Sequence, residues 1–246
     1  GSDGPLNVTD PGFVWEADHT ETGIFGQLQL GVGEDLSVNL GLRGDHHSNF
    51  GEDFGDWSVN PRVGVAYAID VGEGATLKPR ATWGKAISAP GERMSQGGAF
   101  AAVPNPDLRP QKTEGWEIGV DGEFLDGSLQ ASATYYDQDT EDAFTVRFIE
   151  FPAPFQYVNA GLISNDGAEF EVEWSGERLT AQANFSWVDN EVLEINDEGG
   201  SANEVGKPIS RPPIPRTSGG LQLSYAAGEL LGRASPGAVR IGVSTN

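Results

Sequence analysis

The chain has 246 residues with 37 acidic and 15 basic side chains, a formal net charge of −22 and no cysteine. This charge disfavours nucleic acid and anionic membrane surfaces as partners, because their phosphate groups would be repelled. The lack of cysteine excludes disulfides and thiolate metal sites. The sequence contains no run of about 18 apolar residues, so it predicts no transmembrane helix.

Alternation of apolar and polar side chains dominates the chain from its first predicted strands onward. Segments 36–43, 129–136, 169–174 and 179–187 each place apolar residues at every second position, which is the period of a strand. Glycine is too frequent for stable helices, since an interior glycine costs about 1 kcal/mol relative to alanine. The sequence therefore predicts an all-β fold with about ten strands.

The connections between these strands fall into two length classes. Short turns are predicted at 32–35, 70–74, 125–127, 175–177 and 226–230. Long links are predicted at 46–60, 86–110, 149–156 and 189–216. Strict alternation of the two classes is typical of an antiparallel up-and-down transmembrane β-barrel, with tight turns at one rim and long loops at the other.

A soluble β-sandwich is the alternative fold, because it also alternates apolar and polar residues. Its strands are usually nearer 5–6 residues, whereas the alternating segments here suit a bilayer crossing of about 9–11 residues. Aromatic residues are expected near strand ends, as in the girdles at membrane interfaces. They are Tyr67, Trp83, Trp116, Phe124, Trp174, Trp187 and Tyr225.

Three groups of residues resemble motifs of one family, the TonB-dependent outer-membrane receptors, in the C-terminal part of their barrel. The first is an Asn-Pro-x-Leu-x-Pro loop that leads into a strand containing Glu and Gly, carried by Asn105, Pro106, Leu108, Pro110, Glu117 and Gly119. The second is an Asn-x-Gly…Gly-x-Glu strand, carried by Asn159, Gly161, Gly167 and Glu169. The third is Arg43 and Asp45, upstream. Gln111 departs from the acidic residue usual after Pro110, and 184–210 looks closest to the SusC/RagA-like branch.

The resemblance implies a partial barrel domain over residues 1–246, with the plug domain and TonB-binding segment expected upstream. Plugged transporters have roughly 22 strands, so the predicted strands would be under half of a barrel. The implied function is TonB-dependent uptake of a scarce organic nutrient, such as an oligosaccharide or a peptide, across the bacterial outer membrane. The implied partners are the TonB complex, outer-membrane lipid and a surface lipoprotein lid. A siderophore receptor, a passive porin-like barrel and a soluble glycan-binding protein are the alternatives.

The candidate site residues are few. Trp57, Arg93 and Phe100 lie in predicted extracellular loops and are expected to contact ligand, although loop self-packing explains them equally well. Acids at alternate positions of 117–123 and 169–173 are expected to face a hydrated lumen and to pair with basic groups on the plug or on absent strands. We expect no catalytic residue, no metal site and no cofactor, because no nucleophile, phosphate-loop or zinc motif is present.

Overall fold

The computed structural model describes residues 20–48, 57–95, 102–148, 155–159, 161–195, 204–209, 214–226 and 238–245. These contain fourteen strands and one short helix, α1 (Glu92–Ser95). The strands are β1 Glu21–Val32, β2 Leu36–His47, β3 Ser58–Tyr67, β4 Ile69–Gly72, β5 Ala75–Ser88, β6 Ala102–Val103, β7 Gln111–Phe124, β8 Leu129–Glu141, β9 Phe144–Phe148, β10 Phe155–Asn159, β11 Gly161–Ser175, β12 Leu179–Ile195, β13 Thr217–Ala226 and β14 Ala238–Thr245. Within these ranges, α1 is too short to cross a bilayer.

One antiparallel sheet contains most of the strands. Its order is β1-β2-β3-β5-β7-β8-β11-β12-β13-β14, and β4 adds to β5. Strands that follow one another along the chain are therefore neighbours in the sheet, apart from short strands that leave this path. The prediction of an all-β antiparallel meander is confirmed, and the barrel it forms is incomplete because β1 and β14 are the two ends of the described sheet.

The tight turns lie at one rim of this sheet. Val32 pairs with Leu36 across the first turn, and Phe124 pairs with Leu129 across another. The 125–127 turn has three consecutive residues with positive φ, ending at Gly127 with φ +85°, a conformation that glycine adopts without steric cost. Four of the five predicted turns are confirmed, whereas residues 227–230 of the fifth lie outside the described residues.

The two faces of the sheet differ sharply in polarity. On one face, Ile118 pairs with Tyr135, and the rings of Phe170 and Phe185 lie 6.5 Å apart on adjacent strands. Ile118 is 52% exposed and Phe170 48%. Large apolar side chains this exposed along many strands form the surface that lipid covers in a barrel.

Aromatic residues border this apolar face at two levels. Tyr67, Phe124, Trp174 and Tyr225 lie at the turn rim, as predicted. Trp83, Trp116 and Trp187 were expected near strand ends, and this is wrong, because their strands continue at least five residues beyond them. The eight steps along the strand from Trp116 to Phe124 span about 26 Å, which is comparable with the apolar band of an outer-membrane barrel.

A second, three-stranded sheet lies among the long loops and was not predicted. Its order is β6-β10-β9, with β6 parallel to β10. We call it, together with residues 104–110, the loop platform. Leu108 is 2% exposed and Val158 is fully buried, so the platform has an interior of its own. Strands of two and five residues are too short to show a periodic pattern, which is why the sequence indicated only loops here.

Candidate functional site: lumen face and loop platform

The polar face of the main sheet, called the lumen face below, contains an ion-pair network centred on Arg80 of β5. Its guanidinium lies 3.3 Å from a carboxylate oxygen of Glu117 and 3.3 Å from one of Asp121, both on β7. It also donates a 2.6 Å hydrogen bond to Thr134 Oγ1 on β8. Lys78 Nζ lies 3.1 Å from the other oxygen of Asp121. The expectation that distant basic groups neutralise these two acids is therefore wrong, because the neighbouring strand β5 supplies them.

Two glycines of the family motifs leave room for large side chains on this face. A Cβ at Gly119 would lie 2.9 Å from Arg80 Cζ, so the glycine lets the guanidinium cross β7 towards β8. A Cβ at Gly167 would lie 2.5 Å from Tyr136 Oη and 2.5 Å from the main-chain oxygen of Trp187. Glycine within a strand often marks such a close approach. Glu117 and Gly119 thus serve the same Arg80 network.

A strip of carboxylates follows β11 on the lumen face. Glu169, Glu171 and Glu173 alternate along the strand and are exposed. Glu173 accepts a 2.9 Å hydrogen bond from Gln182 Nε2. Across the described part of the chain, none of the three has an ion pair with a basic side chain. Glu171 and Glu173, together with Glu123 of β7, line a recess of about 680 Å³. The lumen face is therefore acidic at these strands.

The upstream motif pair forms a separate cluster on β2 and β3. Arg43 Nε lies 2.6 Å from Asp45 Oδ1, and Asn60 Nδ2 donates a 2.9 Å hydrogen bond to Asp45 Oδ2. Asp45 is only 9% exposed. Its carboxylate is thus compensated on both oxygens, as a buried charge requires. The cluster holds the loop-side ends of β2 and β3 together.

The three predicted ligand contacts receive little structural support. Trp57 lies 5.8 Å, between ring centroids, from His46, and a Cβ at Gly44 would lie 3.4 Å from its ring. Gly44 pairs with Val59 of the apolar face, so Trp57 packs on that face rather than in the lumen. Arg93 lies in α1, and Phe100 lies outside the described residues. Ligand contact by any of the three stays a prediction.

The structure brings together two motif pieces that are far apart in sequence. Asn159, 1% exposed, donates from Nδ2 to the main-chain oxygens of Arg109 (2.9 Å) and Asp142 (2.7 Å). Its Oδ1 accepts a 2.9 Å hydrogen bond from Arg109 N. The guanidinium of Arg109 lies 2.6 Å from Asp142 Oδ1. Asn159, at the end of β10, therefore joins the 104–110 segment of the platform to the turn between β8 and β9.

The remaining residues of the proline motif shape the segment that Asn159 holds. Asn105 Nδ2 donates a 2.8 Å hydrogen bond to Tyr157 O, and its Oδ1 accepts one of 3.2 Å from Asp107 N. Pro106 restricts Asn105 to extended geometry and fixes its own φ, and Pro110 is fully buried. Gly161 has φ +111°, which only glycine adopts readily. Gln111 stands where the family motif usually has an acidic residue, and Gln111 Oε1 accepts a 3.4 Å hydrogen bond from Phe144 N.

Residues that sequence reasoning missed complete the site. Arg80, Asp142 and Arg147 belong to none of the sequence motifs. Arg147 donates a 2.6 Å hydrogen bond to Gln156 Oε1, and Gln156 Nε2 donates one to Pro104 O. The alternation of β5 could have placed Arg80 on the lumen face. Nothing local indicated the loop contacts, because their partners are 9 to 52 residues away.

Comparison with known proteins shows where this architecture belongs. A family model described as "TonB dependent receptor-like, beta-barrel" matches residues 1–244. The vitamin B12 transporter BtuB of Vibrio vulnificus (strain CMCP6) is 27% identical over 141 residues, which are 57% of this chain and 20% of that protein.

Solved structures share the fold at low sequence identity. The RagAB peptide transporter superposes with a TM-score of 0.65 at 16% identity, over 85% of this chain and 31% of that chain. The siderophore receptor PirA from Pseudomonas aeruginosa superposes with a TM-score of 0.62 at 16% identity, over 92% of this chain and 38% of that chain. The chain thus spans well under half the length of these relatives. Its strands lie in the bacterial outer membrane, and the chain belongs to the TonB-dependent receptor-like β-barrel family.

Proposed function

We propose that the protein containing this chain imports a scarce organic nutrient across the outer membrane in a TonB-dependent manner. One observation carries the proposal: a continuous sheet presents an apolar face on one side and, on the other, the hydrogen-bonded polar network of Arg80, Glu117 and Asp121. Such a wall separates lipid from a hydrated interior. This chain would supply part of that wall and the loop platform at its outer end.

Charge supports an oligosaccharide or a peptide as the nutrient rather than a ferric siderophore. The carboxylates of Glu123, Glu171 and Glu173 line one recess without an ion pair to any described basic group. Their field disfavours anionic chelates within about 10 Å at moderate salt. The fold does not discriminate between these two substrate classes, since the similar structures include a peptide transporter and a siderophore receptor.

Two partners follow from this proposal. The TonB complex would supply the energy for transport. A surface lipoprotein would cover the long loops as a lid, and the loop platform, fixed by Asn105 and Asn159, would present them in a constant geometry.

Deletion of the complete gene in its native host tests the substrate class. We expect loss of growth on particular glycans or peptides as sole carbon source, with normal growth on ferric chelates as sole iron source. Deletion of the host's TonB should reproduce the growth defect, and the complemented strain is the control. The reverse result, loss of iron-chelate uptake with normal growth on glycans and peptides, would replace the nutrient proposal with a siderophore receptor.

A further inference from the structure

The ladder between β3 and β5, called the seam below, is the shortest on the main path of the described sheet. Its direct pairing runs from Arg62–Gly84 to Ala66–Arg80, which is five residue pairs. On the loop side, β3 extends four residues beyond Arg62, and β5 extends four residues beyond Gly84. At about 3.3 Å per residue, the seam stops about 13 Å short of both strand ends.

A proline stands just beyond each end of the seam. The next pair towards the loops would join Pro61 to Lys85, and the next pair towards the turns would join Tyr67 to Pro79. Proline has no N–H, so Pro61 pairs with β2, and Pro79 with β7, only in the geometry that makes no hydrogen bond at that residue. In this geometry the position of the missing donor faces the seam. Each further pair would therefore lack a donor, which limits the length of the seam.

On the loop side of the seam the wall divides into two panels. Residues 58–61 of β3 pair with 42–45 of β2, and residues 85–88 of β5 pair with 111–114 of β7. We call β1, β2 and β3 the first panel, and β5 with the strands that follow it in the sheet order the second panel. A recess of about 580 Å³ lies at this division and is lined by residues of both panels.

Each panel is braced by polar contacts of its own. In the first panel, Asn60 Nδ2 donates a 2.9 Å hydrogen bond to Asp45 Oδ2, which joins β3 to β2. In the second panel, Lys85 Nζ lies 2.7 Å from Glu114 Oε2, which joins β5 to β7. Asn60 and Lys85 therefore hold the loop-side ends of β3 and β5 to opposite panels.

The turn side of the same boundary is closed. β4 pairs with β5 from Ile69 to the 72–75 turn, which makes a tight hairpin. By contrast, β7 and β8 are paired as far as Lys112–Glu141, at the loop-side end of β8. The two panels are thus tied together at the turn rim, and few pairs must break to separate them at the loop rim.

We propose that the seam is a hinge in the barrel wall, at which the first panel swings away from the second on the loop side. Local opening occurs where few hydrogen bonds must break, and the seam is such a place. The movement widens the mouth of the lumen, because the first panel carries the 46–60 link and the second carries the 86–110 link. The hinge rests on the proposed uptake function and adds a conformational step to it.

Distances between spin labels on the full-length receptor in lipid bilayers test the hinge independently of transport. Labels at V59C and E141C lie on β3 and β8, and therefore on opposite panels. The control labels, at I87C and L162C, lie on β5 and β11, within the second panel. Both pairs are three strands apart in the sheet order. We expect a broad or two-peaked distance distribution for the first pair and a single narrow one for the control. A single narrow distribution for both would overturn the hinge.

A disulfide across the seam tests whether transport needs the hinge. A Cβ at Gly84 would lie 3.6 Å from Arg62 Cβ, a separation that suits a disulfide, so R62C/G84C should lock the loop-side end of the seam. The control R62C/G41C joins β3 to β2 within the first panel, where the corresponding distance is 3.7 Å. In oxidised cells we expect R62C/G84C to lower the maximal uptake rate of the transported nutrient severalfold, and a reductant to restore it. R62C/G41C should have the same rate before and after reduction.

The outcomes keep the two proposals apart. Normal uptake by R62C/G84C, with its disulfide confirmed by mass spectrometry, would overturn the role of the hinge in transport. An equal loss of uptake in both double variants would also overturn it, because that loss would come from the replacement of Arg62. If wild-type cells import none of the glycans or peptides, the nutrient proposal fails, and the spin-label distances still decide the hinge.

Discussion

Asn159 and Arg109 form a reciprocal pair of hydrogen bonds although they lie 50 residues apart. The amide of Asn159 donates to Arg109 O and accepts from Arg109 N, both at 2.9 Å. The same side chain also holds Asp142 O. One asparagine thus fixes the end of the 86–110 loop relative to the start of β11, and the loop platform depends on it.

Replacement of Asn159 by alanine should loosen the platform. Three hydrogen bonds are lost at a buried position, and each buried group left without a partner costs about 1–3 kcal/mol, so we expect a local loss of about 2–4 kcal/mol. Amide hydrogen exchange in the full-length receptor should show faster exchange at residues 105–110 and 155–159. Asn165→Ala, the same change on the lumen face of β11, is the control. Unchanged exchange in N159A would contradict the assigned role.

Alanine at Gly167 should destabilise the barrel wall. The added Cβ would lie 2.5 Å from a main-chain oxygen, and overpacking of this kind typically costs about 1–3 kcal/mol. The apparent unfolding temperature of the full-length receptor in detergent should fall. Gly31→Ala, where a Cβ would meet nothing within 4 Å, should leave it unchanged or slightly higher. A similar temperature for both variants would refute the packing argument.

Arg80 and Glu117 should be energetically coupled. A double-mutant cycle with R80A and E117A should give about 0.5–1 kcal/mol of coupling, since the pair is partly exposed. The coupling should shrink in high salt, because screening weakens an exposed pair. Additive effects at low salt would show that Asp121 and Thr134 alone hold the guanidinium.

The long loops and the tight turns should be on opposite sides of the membrane. Single cysteines at Asp107 and Glu204, both exposed, should react with an impermeant maleimide on intact cells. Cysteines at Glu34 and Glu177, in exposed tight turns, should react only after the outer membrane is opened. Mixed labelling within either pair would reject the topology.

Residues 1–246 expressed alone should require detergent or lipid. The apolar face is exposed along the sheet, with Ile24 at 66% and Ile118 at 52%, and β1 and β14 each have one neighbour in the described sheet. Open edges and apolar surface promote aggregation. Analytical ultracentrifugation should show large aggregates in buffer, and a monodisperse monomer with cooperative melting would argue against a membrane-facing surface.

The sequence by itself determined the long strands of the main sheet, four of its tight turns and which side chains share a face. On β7, the alternation of Trp116, Ile118 and Val120 with Glu117, Gly119 and Asp121 predicted the two faces that the structure shows. This succeeds because the period of two is a property of the local backbone and needs no knowledge of neighbouring strands. The family motifs were recognisable for the same reason, as short local patterns.

Only the tertiary structure decided what the motif residues do. Gly119 makes room for Arg80, which is 39 positions earlier in the chain, and the two cross-strand neighbours of Arg62 are glycines supplied by β2 and β5. The loop platform likewise joins β6 to β10 across more than fifty residues. These contacts depend on strand register and on hydrogen bonds between distant segments, and no local periodicity records which distant residues will meet.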